Sequence, residues 1–137
     1  MSNLDNIDEN LIEIIEDKLN SGFIKANGIE ILEAKKGYVK GRIVINELHL
    51  NSWNAVHGGC IFSLADTIAG IAAISCMGNV VTLSGNINYI RPAINTAEII
   101  GEAEVIHSGS STAVVDVLLK SHEGKLLSKS TLTFHKV

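Results

Sequence analysis

The sequence predicts an α+β fold in which one curved antiparallel sheet lies around a single long apolar helix. Two observations carry that expectation. Residues Cys60–Met77 form an apolar run of helical length whose only charged residue is Asp66. The rest of the chain after it alternates apolar and polar residues with a period of two, as half-buried strands do. A third pattern adds an amphipathic helix at the N-terminus.

That helix comes first. Leu4, Ile7, Leu11, Ile14, Ile15 and Leu19 recur at helical spacing, acidic residues fill much of the other face, and Ser21-Gly22 reads as the stop. Two strands are expected next, at 28–34 and 38–46, joined by a Lys35-Lys36-Gly37 turn, with Val39, Ile43 and Ile45 opposite Lys40 and Arg42. On the long helix, Ile61, Leu64, Ile68 and Ile71 share one side and should fill the concave face of the sheet. Gly59, Ser63, Asp66, Gly70 and Ala73 fall on the other, mostly small side, with Phe62 near it. Four strands follow, at 80–91, 97–107, 113–121 and 125–137; their short links suggest a meander or a close relative. In the first of them Val81, Leu83, Ile87 and Tyr89 alternate with Thr82, Ser84, Asn86 and Asn88, so parity puts Thr82 and Ser84 on one face.

With 137 residues the chain has length for one domain, read as an N-terminal helix over 1–22 and a core over 28–137. The net charge of −4 and the lack of a Lys/Arg cluster argue against nucleic acid as partner. Cys60 and Cys76, sixteen residues apart on one helix, would lie about 24 Å apart, too far for a disulfide. No Cys/His group has metal-ligand spacing. The acidic N-terminus is not a secretory signal, and the apolar run is short and interrupted for a membrane span, which leaves the reducing cytoplasm as the expected location.

Chemistry concentrates between Asn51 and Asp66. A carboxylate on a buried helix costs several kcal/mol if it is unpaired, and function is the usual return for such a residue. Gly58-Gly59 stands where the helix should begin, so backbone N–H groups point out of its N-terminus and a ligand oxygen could come close to them. Such a site can hold an oxyanion, one donor being worth about 10²–10³ in rate. Asp66 lies about 10 Å further along the axis, too far to act on a carbonyl held at the start of its own helix. The acid would serve a site begun by another chain, which argues for a dimer. Ordinary roles stand beside these: an entry turn for the glycines, a cap for His57, loop formation for Asn51 and Asn54, and a structural bond for Asp66.

His57-Gly58-Gly59 followed by Phe62-Ser63-Leu64-Ala65-Asp66, with Asn51 six residues before the histidine and Asn86–Ala93 after the helix, resembles the signature of hot-dog-fold thioesterases of the phenylacetic acid degradation (PaaI-like) group. The resemblance implies a hot dog fold and hydrolysis of an acyl-CoA thioester at the interface of a homodimer, itself expected to pair into a homotetramer. It implies Asp66 as general base or nucleophile and the Gly58 or Gly59 N–H of the partner helix as oxyanion donor. Asn51 and His57 would orient the thioester or water, and a strand hydroxyl, Thr82 before Ser84, would assist the acid. Phe62 and Ser63 would meet the substrate. Members of the group often carry a basic residue where Ser110 stands, so the stretch around His107 and Ser110 would meet CoA phosphates through hydroxyls and N–H groups, with Arg91 the candidate for the charge. No metal or organic cofactor is implied, coenzyme A being part of the substrate. The alternatives are a non-catalytic acyl-CoA-binding hot dog protein and a dehydratase of the same fold.

Overall fold

The computed structural model describes residues 6–137. Leu4, the first residue of the expected N-terminal helix, lies outside them. Ile7 is not helical: it bridges Ala34, and the Asp8 N–H donates to the Ala34 carbonyl at 2.8 Å. The Asp8 carboxylate then accepts from Asn10 N–H and starts a 3-10 turn, Glu9–Leu11, which leads into α1, Ile12–Leu19. α1 ends beside Ser21-Gly22 as expected, but the helical region goes on. The Ser21 hydroxyl caps a second helix, α2 (Gly22–Asn27), which closes on Gly28 in the left-handed conformation at φ 71°. Serine before glycine reads equally as a stop and as a start, and here it is both: α1 ends just before it, at Leu19, and α2 begins on it.

Six strands form one antiparallel sheet: β1 Ile29–Lys35, β2 Tyr38–Val44, β3 Val80–Tyr89, β4 Glu98–Ser108, β5 Thr112–Ser121 and β6 Leu126–Lys136. Their order across the sheet is β1-β2-β4-β5-β6-β3. The expected four-strand meander is therefore only three strands long. β4, β5 and β6 follow one another, whereas β3 crosses to the far edge and pairs with β6 alone.

The long helix, α3, spans Gly58–Met77, two residues longer at its start than the apolar run. It is long and apolar enough to cross a membrane by length and composition, with a mean hydropathy of 1.8, yet it packs against the sheet as a core helix does. Ile61, Leu64, Ile68 and Ile71 are buried against Val39, Ile43, Ile99, Val115, Leu119 and Leu132. Ile68 enters a notch made by Gly41 and Gly101, which face each other across β2 and β4. A methyl group at either glycine would come within 2.7 or 2.8 Å of the Ile68 side chain. On the opposite, small side of α3, Ala73 is covered, but Gly59, Ser63, Asp66 and Gly70 keep solvent contact.

The first half of β3 breaks the alternation. Thr82 pairs with Phe134 and Ser84 with Thr133, so Leu83 is an extra, bulged residue. Cross-strand partners share a face. Phe134 is buried on the helix side and Thr133 lies on the other, so Thr82 faces α3 and Ser84 faces away from it. Beyond the bulge Gly85, Ile87 and Tyr89 face the helix, while Asn86 and Asn88 keep to the outer side.

Candidate active site

The Asp66 carboxylate is held by this bulge. The Thr82 hydroxyl donates to Asp66 Oδ1 at 2.8 Å. The acid is thus paired and only half-buried, not fully enclosed. Beside it opens a cavity of 270 Å³ whose walls include Ile71, Ile74, Val80, Val81 and Phe134. The two N-terminal helices add Lys18 and Ile24 to its rim. Gly70 lies between the acid and the apolar end, its α-carbon facing the Phe134 ring.

The start of α3 is built by its own neighbours. His57 is the N-cap, and its Nδ1 accepts from the Gly59 N–H at 2.8 Å, which leaves the ring proton on Nε2. The Tyr89 hydroxyl donates to the Gly58 carbonyl at 2.7 Å. The space beside the two glycines is filled by these rings: a methyl at residue 58 would lie 3.0 Å from Tyr89 Cζ, and one at residue 59 would lie 3.0 Å from His57 Nδ1. The Cys60 and Ile61 N–H groups both donate to the His57 carbonyl. Among the described residues this leaves the Gly58 N–H as the free donor of the first turn. Cys60 is buried, and burial pushes its thiol up to about 11, so it is no nucleophile at neutral pH.

The other expected site residues are less gathered. Asn51 Oδ1 accepts from the N–H groups of Trp53 and Ala55, at 2.9 and 3.2 Å, and so shapes the loop before α3. Phe62 lies against Gly85 on the inner side of β3 and does not line the Asp66 cavity. The Ser63 hydroxyl bonds back to the Gly59 carbonyl at 2.8 Å. Ser84 is on the outer face, away from Asp66, so of the two strand hydroxyls only Thr82 reaches the acid. Arg91 is exposed beyond β3, with its N–H on the Leu127 carbonyl. His107 and Ser110 are exposed at the β4–β5 hairpin, His107 in the same outer-face row as Val114, Thr133 and Ser84. About three strand spacings, ~14 Å, separate His107 from Ser84 in that row. Within one chain, then, the carboxylate and the helix N-terminus stay apart, and His107 lies on the face of the sheet turned away from both.

Two contributors were not legible in the sequence. Tyr89 passed as a core residue of an alternating strand, and only the fold brings its hydroxyl to α3. His49 is buried, its Nδ1 accepting from Asn46 N–H and its Nε2 donating to the Asn27 carbonyl, while its own carbonyl accepts from His57 N–H. It locks α2 and the loop before α3 together.

Comparisons with known proteins agree with this architecture. A family model described as the Thioesterase superfamily matches residues 54–128. A protein of Archaeoglobus fulgidus named as an esterase by inference is 30% identical over 129 residues, covering 93% of this chain and 84% of that protein. The acyl-coenzyme A thioesterase PaaI of Escherichia coli is 28% identical over 118 residues, 86% of this chain and 84% of that one. Its solved structure, from the phenylacetic acid degradation operon, is similar with a TM-score of 0.86 at 26% identity, covering 93% of this chain and 91% of the other. A Streptococcus mutans protein solved bound to acetyl CoA gives a TM-score of 0.76 at 29% identity, covering 80% of this chain and 88% of that one. The acid-bearing core helix, the sheet around it and the matched family model lead to one conclusion: the chain belongs to the thioesterase superfamily, has the hot dog fold and is a thioester hydrolase.

Proposed function

We propose that the chain is an acyl-CoA thioesterase acting on an aryl- or medium-chain acyl group, and that two copies build each site. The observation that carries the reading is the separation within one chain of two complementary halves. Asp66, held by Thr82, stands on the wall of a largely apolar cavity, and the open Gly58 N–H lies about 10 Å away along the same helix. An antiparallel partner helix brings the Gly58 N–H of one chain to the Asp66 of the other. The edge of β3, with Val81 and Leu83 exposed, is the surface offered to a second copy. The outer face of the sheet is left for pairing dimers into a homotetramer.

In this site the thioester carbonyl rests on the Gly58 N–H and the acyl group enters the cavity between α3 and β3. Asp66 takes a proton from a water molecule as that water attacks the carbonyl carbon. The oxyanion so formed is stabilised by the Gly58 N–H. Collapse breaks the C–S bond, the thiolate of coenzyme A leaves and is protonated from Asp66, and the free acid remains. The nucleophilic variant passes through an anhydride of Asp66 that water then opens. His57 and Asn51 contribute by holding the loop and helix start, and the exposed Arg91, His107 and Ser110 are the groups left to meet the CoA portion. No metal or organic cofactor takes part, and the reaction belongs in the reducing cytoplasm. The acetyl CoA bound to the Streptococcus mutans protein and the name of the Escherichia coli relative support coenzyme A as the carrier.

The test is hydrolysis of a panel of aryl- and alkyl-CoA thioesters by the wild type and by Asp66→Ala. The expected result is turnover of one acyl class, with kcat reduced about 10²–10⁴-fold in the variant, the range for loss of a general base. Binding without turnover in both proteins would instead make this a non-catalytic acyl-CoA-binding protein.

A further inference from the structure

The peptide joining Gly58 to Gly59 is gripped at both ends by side chains of its own chain. Tyr89 donates to its carbonyl oxygen and His57 Nδ1 accepts from its N–H. A Gly-Gly step is the most freely rotating pair a chain can place at a helix start. Two bonds hold this peptide plane, and the plane before it, which carries the Gly58 N–H, is held at the His57 carbonyl by the Cys60 and Ile61 N–H groups; with both planes held, rotation about Gly58 is removed and its N–H keeps one aim. The two partners differ in how firmly they are placed. Both residues are exposed, Tyr89 by 52%, but His57 is the residue just before the helix. Tyr89 is carried by β3, on the face that Ser128 and Ser130 share, and β3 is in register with β6 from Val80 to Tyr89 apart from the Leu83 bulge.

We propose that Tyr89 is a positioning residue for thioester hydrolysis, its hydroxyl holding the Gly58 carbonyl so that the Gly58 N–H stays directed at the thioester oxygen. The inference rests on the reading of the α3 start as the oxyanion site. It gives β3 a double task, since the same strand supplies Thr82 to the acid at one end and Tyr89 to the oxyanion donor at the other. In a site shared by two chains, each thioester would be flanked by Thr82 of one β3 and Tyr89 of the other. Tyr89 is suited to donate: a phenol keeps its proton at neutral pH, and desolvation of this one raises it further.

Tyr89→Phe removes one oxygen and keeps the ring against Gly58. Two readouts test the proposal: steady-state kinetics on hexanoyl-CoA and phenylacetyl-CoA, and the carbonyl stretch of the same thioesters, ¹³C-labelled at the carbonyl, bound to Asp66→Ala with and without Tyr89→Phe. The expected result is a kcat lower by about tenfold at a nearly unchanged KM, as for slight misplacement of a reacting group. The carbonyl stretch, lowered on binding to Asp66→Ala, should move back toward its free value in the double variant. An unchanged kcat overturns the proposal, and so does a lowered kcat with an unmoved stretch, which would mean a merely structural loss. If Asp66→Ala itself leaves the stretch at the free value, the oxyanion reading of the α3 start fails, and the role of Tyr89 fails with it.

Discussion

Thr82 and Ser84 offer the same hydroxyl two positions apart on one strand, and only Thr82 touches Asp66. Alternation alone treats them as equivalent, and no residue in Val80–Tyr89 announces the bulge at Leu83 that separates them. A bulge is settled by how a strand fits its partner, here β6, and a lone stretch of sequence does not contain that partner. Removing the hydroxyl without changing the shape is therefore expected to matter at one position only. Thr82→Val should lower kcat by about ten- to a hundredfold, from the ~1.5–3 kcal/mol of a hydrogen bond to a charged group. Ser84→Ala should leave kcat unchanged; equal losses in the two variants would show that the strand does not hold this register in solution. The paired glycines teach a related lesson. Their smallness was legible, but what packs beside their α-carbons was not: it is the rings of Tyr89 and His57.

Among the elements, α3 was the most legible, because its apolar side is written in Ile61, Leu64, Ile68 and Ile71 at plain helical spacing. Its seating was not. Gly41 and Gly101 look like interruptions in their strands, yet together they form the notch that lets Ile68 approach the sheet. At Gly41 an added methyl would also lie 2.9 Å from the Glu30 carbonyl oxygen, so the backbone as well as Ile68 stands in the way. Gly41→Ala should then lower stability by about 1–3 kcal/mol, the usual cost of overpacking. Denaturant unfolding checks this, and a shorter residue at position 68 should recover part of the loss. The N-terminal region was the least legible. Leu11, Ile15 and Leu19 do pack inward, but the Asp8 cap, the break after Leu19 and the restart at Ser21 depend on single hydrogen bonds that periodicity does not record.

For the whole molecule, strand number and direction followed from the pattern, while strand order did not. The link from β3 to β4, residues 90–97, is longer than the two hairpin links after it, 109–111 and 122–125, which fits a crossing but does not say which edge β3 reaches. That crossing leaves β3 with one neighbour and an open row of backbone groups beside Val81 and Leu83, which are 53% and 61% exposed. A charge on such an edge opposes further pairing. Leu83→Lys is expected to convert the protein to its 14.7 kDa single chain and to abolish turnover with it. Sedimentation velocity of the two proteins checks the mass. A variant that stays assembled and active would remove β3 from the contact between copies.

The same strand order has a consequence for synthesis. Both edges of the sheet, β1 and β3, come from the first two thirds of the chain, and the strands that separate them, β4 to β6, are made last. The most apolar helix finds its largest packing partners in β4 and β5. It thus leaves the ribosome well before the surface it will cover exists. At about 5–20 residues per second, the remaining stretch from Gly78 to Val137 takes several seconds to appear. During that interval a greasy twenty-residue segment has only β1 and β2 of its sheet to shelter it, and the protein's exposure to chaperones and to wrong partners is concentrated there.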